Sequence, residues 1–214
     1  ARVSYPSCIN KTSGRSAMAT YDNVLDLIGN TPIVRINQID TGPCELYAKL
    51  ECQNPGGSIK DRIGLVMIEQ AEKRGDLKPG AVLVEGTAGN TGLALALVAQ
   101  QKGYRLILVI PDKMSREKIS NLKAMGAEVV ITRSDVGKGH PEYYQDLAKK
   151  IADETPNSYF INQFGNPDNP LAQQKEVKLS DLGELKFIGF EPDIPTRKAV
   201  DKIFRDSGYN IRTV

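Results

Sequence analysis

The sequence predicts an α/β fold: an open parallel sheet with helices on both faces. Three observations predict it. Short apolar segments alternate with helix-period segments from Ala81 to Ile161. The strand segments are apolar nearly throughout rather than alternating, as strands buried on both faces are. Gly or Pro stands at most of the junctions, where each element has to stop.

Organised sequence starts near Asn23. Val24 to Ile28 reads as a short helix closed by Gly29-Asn30, residues that tolerate the left-handed conformation. Thr31 to Ile36 reads as a strand with Pro32 at its beginning. Thr41-Gly42-Pro43 is a turn, and Glu45 to Cys52 is a second strand, so the pair forms a hairpin. Ile59, Ile63, Val66 and Met67 recur at helical spacing through Arg74, and Gly75 supplies a stop. Ala81 to Glu85 is a strand, Thr91 to Lys102 a helix ended by Gly103, and Tyr104 to Ile110 a strand stopped by Pro111-Asp112. Ser115 caps a helix that runs to Met125. Glu128 to Thr132 is a strand. Pro141 to Asp153 is a helix with Tyr144, Leu147, Ala148 and Ile151 on its apolar face. Ser158 to Ile161 is the last strand of the series.

Composition excludes several classes. The chain has 214 residues, 40% hydrophobic and 25% charged, with a net charge of +2. That charge leaves no electrostatic footprint for nucleic acid or an anionic membrane. No apolar run approaches a membrane span. Three cysteines, Cys8, Cys44 and Cys52, form neither a disulfide framework nor a metal-ligand spacing. A reducing, cytoplasmic setting is the expectation. His140 is the one histidine, which excludes a His-based triad and a multi-histidine metal site.

Two stretches carry chemistry. In Asn54-Pro55-Gly56-Gly57-Ser58-Ile59-Lys60-Asp61-Arg62, a Gly/Pro turn delivers Lys60 to the first turn of a helix. The helix dipole is positive there, a poor place for a lysine kept for its charge alone. It suits a lysine held as a neutral amine or as an imine to a carbonyl. The plainer reading is a solvated lysine beside Asp61. In Glu85-Gly86-Thr87-Ala88-Gly89-Asn90-Thr91-Gly92, glycines let backbone N–H groups converge at a helix start, where an anion is favoured. Thr87, Asn90 and Thr91 add side-chain donors. The plainer reading is a Gly-rich turn with Asn90 or Thr91 as cap. The stretch matches neither the Walker pattern nor Gly-x-Gly-x-x-Gly.

Together with Asn162-Gln163-Phe164, these stretches resemble the pyridoxal-phosphate enzymes of the cysteine synthase and cystathionine β-synthase family. Ile28-Gly29-Asn30-Thr31-Pro32, Ile110 to Ser115 and Met125 to Val129 match the same family, and the resemblance runs from about Tyr21 to Ala172. It implies the small domain of the tryptophan synthase β-like fold, with pyridoxal phosphate as cofactor. It further implies that Lys60 bonds the cofactor covalently and later moves protons at the substrate α-carbon. Asn90 would hydrogen-bond the ring's phenolic oxygen. Thr87, Ala88, Gly89 and Thr91, joined by Gln163, would grip the substrate carboxylate. The implied reaction is β-replacement on serine or an O-acylated serine by sulfide or a thiol, in a protein that is usually a homodimer.

The flanks differ. Residues 1–20 carry Arg2, Lys11 and Arg15, no acid before Asp22 and little periodicity. They read as a disordered arm, upstream sequence or a transit-type targeting segment, with Met18 as a natural start. After Ala172 the family continues into a large domain, with a Gly/Thr-rich loop for the cofactor phosphate and a later Ser or Thr for the pyridine nitrogen. Residues 173–214 show neither. This tail reads as a strand from Leu185 to Glu191 and a helix from Pro195 carrying Ala199, Val200, Ile203 and Phe204. It is expected to be a variant, chimeric or remnant ending. The expectation is therefore an impaired cysteine synthase-like enzyme that holds its cofactor weakly. Cystathionine β-synthase-like condensation with homocysteine, or a non-catalytic interaction fragment, are the alternatives. The Thr31 to Cys52 hairpin is expected to lack part of its packing.

Overall fold

A computed structural model describes residues 20–40, 42, 45–87 and 89–172. The predicted strand and helix of the tail lie outside the described residues, as do Ala88 and most of the N-terminal arm.

Within the described residues, four strands build a parallel sheet: β3 (Val82–Gly86), β4 (Arg105–Pro111), β5 (Glu128–Thr132) and β6 (Ser158–Phe160). Strands β1 (Ile33–Ile36) and β2 (Leu46–Lys49) form a separate antiparallel hairpin, with Ile33 opposite Lys49 and Ile36 opposite Leu46. The sheet order is β5-β4-β3-β6. Val82 lies level with Arg105 on one side and with Ser158 on the other. The chain steps from β3 through β4 to β5, then crosses back to lay β6 on the opposite side of β3. The carboxyl end of β3 is thus the switch point where such sheets open a crevice.

Five helices complete the described fold: α1 (Lys60–Arg74), α2 (Asn90–Lys102), α3 (Arg116–Ala124), α4 (Tyr144–Glu154) and the short α5 (Asp168–Leu171). One face of the sheet, with Leu83, Leu106, Leu108 and Ile110, buries Ile63, Met67, Leu95, Val98 and Leu122 from α1, α2 and α3. The other face, with Val82, Val84, Ile107 and Val109, packs on Ala148 and Ala152 of α4. Continuous apolar strands are what this double burial requires, and the α/β expectation holds.

The local punctuation also follows the sequence. Asn23 caps a 3-10 turn at Val24–Leu27, and Gly29 and Asn30 follow at φ 91° and 47°. The Ser115 hydroxyl accepts the Lys118 N–H at the start of α3. Two starts differ from expectation. Helix α4 begins at Tyr144 rather than Pro141, because His140 Nδ1 accepts the Glu142 N–H and its carbonyl accepts the Tyr143 N–H. That turn consumes the donors a first helical turn would leave free. Helix α2 starts at Asn90 with Gly89 as N-cap, and neither Asn90 nor Thr91 caps it through a side chain.

The hairpin pairs as predicted but packs on little, leaving Ile33 at 61% and Val34 at 47% exposure. Among the described residues no helix is long and apolar enough to cross a membrane, and no cluster of His, Cys, Asp and Glu forms a metal site.

The end of β3 leaves no room on its α4 side. A methyl added at Gly86 would meet the Tyr144 carbonyl oxygen at 2.6 Å, whereas one at Gly137 would meet nothing within 4 Å. Backbone cannot rotate aside as a side-chain tip does. Gly86→Ala is expected to lower stability by about 1–3 kcal/mol, the usual cost of overpacking. Gly137→Ala should stay within about 0.5 kcal/mol. Urea midpoints of the two variants check this.

Candidate functional site

The Lys60 loop is clamped from behind by one carboxylate. Glu51 sits in a 3-10 turn at Glu51–Gln53, directly after β2. Its Oε2 accepts from Arg62 Nε at 2.7 Å and its Oε1 from Arg62 Nη2 at 2.9 Å, a two-pronged pair. Thr31 Oγ1 donates to Oε1 at 2.7 Å and Asn54 Nδ2 to Oε2 at 3.0 Å. The same Asn54 accepts the Gly29 N–H on Oδ1 at 2.8 Å, and Lys49 Nζ donates to the Thr31 carbonyl. The Ile28-Gly29-Asn30-Thr31 segment, the end of β2 and the first turn of α1 are thereby one unit. The Arg62 guanidinium holds the Glu51 carboxyl well below the usual range, at about 2.

The neighbour of Lys60 faces away from it. Asp61 is fully buried, and its Oδ2 accepts the Gly56 N–H at 2.5 Å. A side chain at Gly56 would run into that carboxylate. Burial pushes the Asp61 carboxyl up, partly offset by the Gly56 N–H. Asp61 closes the turn, and Lys60 is left half-buried with no ion pair or side-chain hydrogen bond among the described residues.

Two contacts fix how α1 and α2 lie. Gly64 touches Ala94, so closely that a methyl there would be 3.1 Å from Ala94 Cβ. Further along, Lys102 Nζ donates to Glu72 Oε2 at 2.8 Å. Both contacts join residues at the same offset in sequence, so the helices run side by side in the same direction. One turn earlier the same register sets Lys60 opposite Asn90. Both helix starts therefore lie together at the carboxyl end of β3. The Asn90 side chain is exposed and makes no hydrogen bond to the described residues.

The second cluster is buried. Thr91 Oγ1 donates to Gln163 Oε1 at 2.7 Å, and Gln163 Nε2 donates to Glu85 Oε1 at 3.1 Å. The Gln163 N–H donates to Glu85 Oε2 at 3.3 Å, and Asn169 Nδ2 donates to the Gln163 carbonyl at 2.7 Å. Thr87, buried on the other side of the turn, accepts the Gly89 N–H on Oγ1 at 3.4 Å. Thr87 and Gly89 thus meet at the turn, and Thr91 meets Gln163 beside it. The Thr91 hydroxyl is not the free donor expected: its proton is engaged by Gln163.

Two residues of the site were not singled out from sequence. Glu51 carried no visible signal, being an ordinary acid at a strand end. Glu85 did carry one, as the only charged residue of an otherwise apolar central strand. It is 1% exposed, and burial pushes its carboxyl up to about 7 against the N–H groups of Gln163 and Asn162.

Comparison with known proteins agrees with this geometry. The family model "Pyridoxal-phosphate dependent enzyme" matches residues 24–179. A cystathionine β-synthase from Dictyostelium discoideum is 51% identical over 152 residues, covering 71% of this chain and 30% of that protein. A cysteine synthase from a Flavobacterium species is 51% identical over 150 residues, covering 70% of this chain and 48% of its own. A hydrogen sulfide-producing enzyme from Fusobacterium nucleatum superposes with a TM-score of 0.65 at 37% identity, over 89% of this chain and 54% of that one. An O-ureido-L-serine synthase gives 0.66 at 38% identity, over 72% and 48%. The chain thus spans half or less of the length of these two curated relatives.

The Glu51 clamp has a pH signature. A carboxyl lowered from 4.5 to about 2 by folding contributes stability above pH 4.5 that is lost as pH falls toward 2. The Glu51 side chain is 19% exposed, so solvent screens part of the pair. An acid-dependent loss of about 1–3 kcal/mol is expected. Glu51→Gln should remove that dependence, leaving a less stable but flatter urea-denaturation profile between pH 5 and pH 2.

Proposed function

We infer the chemistry from one premise: this chain belongs to the family of pyridoxal-phosphate dependent enzymes. Its reaction is β-replacement on serine or an O-acylated serine, the β-substituent leaving and sulfide taking its place to give cysteine. The observation that supports this reading is the α1–α2 register, by which Lys60 lies opposite Asn90, both without a side-chain hydrogen bond among the described residues, near the Thr91–Gln163 contact.

The residues fit the cofactor. Lys60 offers a primary amine with no competing partner among the described residues. Asn90 offers an exposed amide at a helix N-terminus, where partial positive charge favours an anionic oxygen. Lys60 would hold the cofactor covalently and Asn90 would bond its ring oxygen. When bound, pyridoxal phosphate supplies the sink for the electron pair left by the α C–H bond. Lys60 Nζ is the base that takes the α-proton. Thr87, Ala88, Gly89, Thr91 and Gln163 bind the substrate carboxylate and so orient that C–H bond toward Lys60. The apolar packing of α1 on α2 holds these groups in register.

The nucleophile has a second reading of equal support. Relatives named cystathionine β-synthase and cysteine synthase are both 51% identical to this chain. Homocysteine in place of sulfide would make the enzyme a lyase of serine rather than a transferase, with water as the leaving product.

Adding pyridoxal phosphate and then borohydride to the purified chain should leave one reduced pyridoxyl group, on Lys60. Labelling spread over surface lysines and unchanged in Lys60→Ala would overturn the assignment. Asn90→Ala should shift the bound cofactor's absorbance, and Thr91→Ala should mainly weaken serine. Product analysis with O-acetylserine plus sulfide, and with serine plus homocysteine, separates the two nucleophiles.

A further inference from the structure

Glu85 is the second-last residue of β3. Strand alternation turns it, like Leu83, toward the α2 face. There it meets no cation: no ion pair reaches it among the described residues, and its contacts are the N–H groups of the 162–163 loop. A buried acid that neither pairs with a base nor lies on the surface needs another reason to be where it is.

The hydrogen bonds show what it does. An ionised carboxylate only accepts. Gln163 must therefore turn its Nε2 toward Glu85, which leaves Oε1 facing Thr91, and Thr91 must donate. The hydroxyl proton of Thr91 is drawn inward, and its lone pairs face the crevice. An incoming carboxylate would meet an acceptor where the site needs a donor.

We propose that Glu85 is a positioning residue that sets the direction of the Thr91 hydroxyl through Gln163, so that amino-acid carboxylate binding is coupled to proton uptake at Glu85. This rests on the reading of Thr91 and Gln163 as carboxylate-site residues. With one proton taken from solvent, Glu85 Oε1–H donates to Gln163 Oε1 once that amide has turned over. Gln163 Nε2 then donates to Thr91 Oγ1, and the Thr91 proton is released toward the substrate. No bond is left unmade in either state, and no atom but the one proton is gained.

The surroundings permit this exchange. The main chain of Gln163 is held at both ends, by Asn169 on its carbonyl and by Glu85 Oε2 on its N–H, so the turn is confined to the amide. Gln163 is 6% exposed, so water does not stand in for either partner. Around Glu85, α2 brings Thr91, the strand-paired β4 residue is Leu108, the loop brings Asn162 and Gln163, and α4 brings Tyr144. Tyr144 is the ionisable one of these, and burial with its Tyr143 neighbour pushes its phenol up to about 12, so it stays neutral. Burial likewise pushes the Glu85 carboxyl up to about 7.

The test is L-serine binding to the chain loaded with pyridoxal phosphate, by calorimetry at pH 6 and pH 8 in buffers of different ionisation enthalpy. The wild type should take up more protons than Glu85→Gln, and its affinity should fall by up to about tenfold per pH unit above the Glu85 midpoint. Glu85→Gln presents a permanent donor to Gln163, so it should bind serine at pH 8 as tightly as the wild type does at pH 6. A readout without cofactor is ¹³C-carboxyl NMR of the free chain, in which one glutamate should titrate near neutrality and vanish in Glu85→Gln. Equal wild-type affinity at the two pH values, an ordinary Glu85 titration, or wild-type pH dependence in Glu85→Gln would each overturn the coupling alone. A loaded wild type that binds no serine at either pH would bring down the carboxylate-site reading and this inference with it.

Discussion

The site depends on the pairing of Glu51 with Arg62. Lys60 follows a loop that is not held there by apolar burial: Ile59 is exposed and Pro55 and Gly57 lie on the surface. What holds the turn is polar. Arg62, two residues beyond Lys60, grips a carboxylate that also accepts from Thr31 and Asn54, and Asn54 in turn accepts from Gly29. Removing any member leaves part-buried donors or acceptors without partners, which costs more than the bond itself was worth. The motif around Thr31 and the motif around Lys60 lie far apart in sequence, yet they are two halves of one hydrogen-bonded assembly. That explains why polar residues crowd both.

A rigid start is useful only if it points somewhere. The contact of Gly64 with Ala94 and the ion pair of Lys102 with Glu72 do the pointing. A larger residue at Gly64 would push α1 off α2 and carry Lys60 with it. The apolar core on that face, from Ile63 to Leu122, fixes the helices against the sheet. Packing thus brings two sequence-distant loops together at the carboxyl end of β3, where the strand order reverses.

Much of this was legible beforehand, and the reasons differ by element. The parallel sheet was legible because its strands are apolar on both sides, and Ser115 as a cap because its hydroxyl serves a donor three residues away. The α4 start was not, since Pro141 is a good first helical residue and only the His140 ring, accepting from Glu142, shows that a turn intervenes. Thr91 was legible as a polar residue at a helix start but not as one already engaged, because Gln163 arrives from a different strand end. The bond that Asp61 accepts from the Gly56 N–H was not legible either. In each miss the decisive partner is remote in sequence or is main chain.

The two missed glutamates show how environment assigns opposite tasks to one side chain. Glu51 meets a guanidinium and two neutral donors, so its charge is held and its geometry is locked. Glu85 meets only amides, so nothing fixes its charge, and burial brings its ionisation near neutrality. A locked carboxylate suits the frame, because it holds the Lys60 loop in one shape. An unlocked one suits the proposed coupling, in which the Thr91 hydroxyl donates to Gln163 in one state and to a carboxylate in the other. Exchanging the two environments would lose both functions. A neutral Glu51 would release Arg62, and a cation beside Glu85 would freeze Gln163 in the orientation that turns the Thr91 hydroxyl away from the crevice.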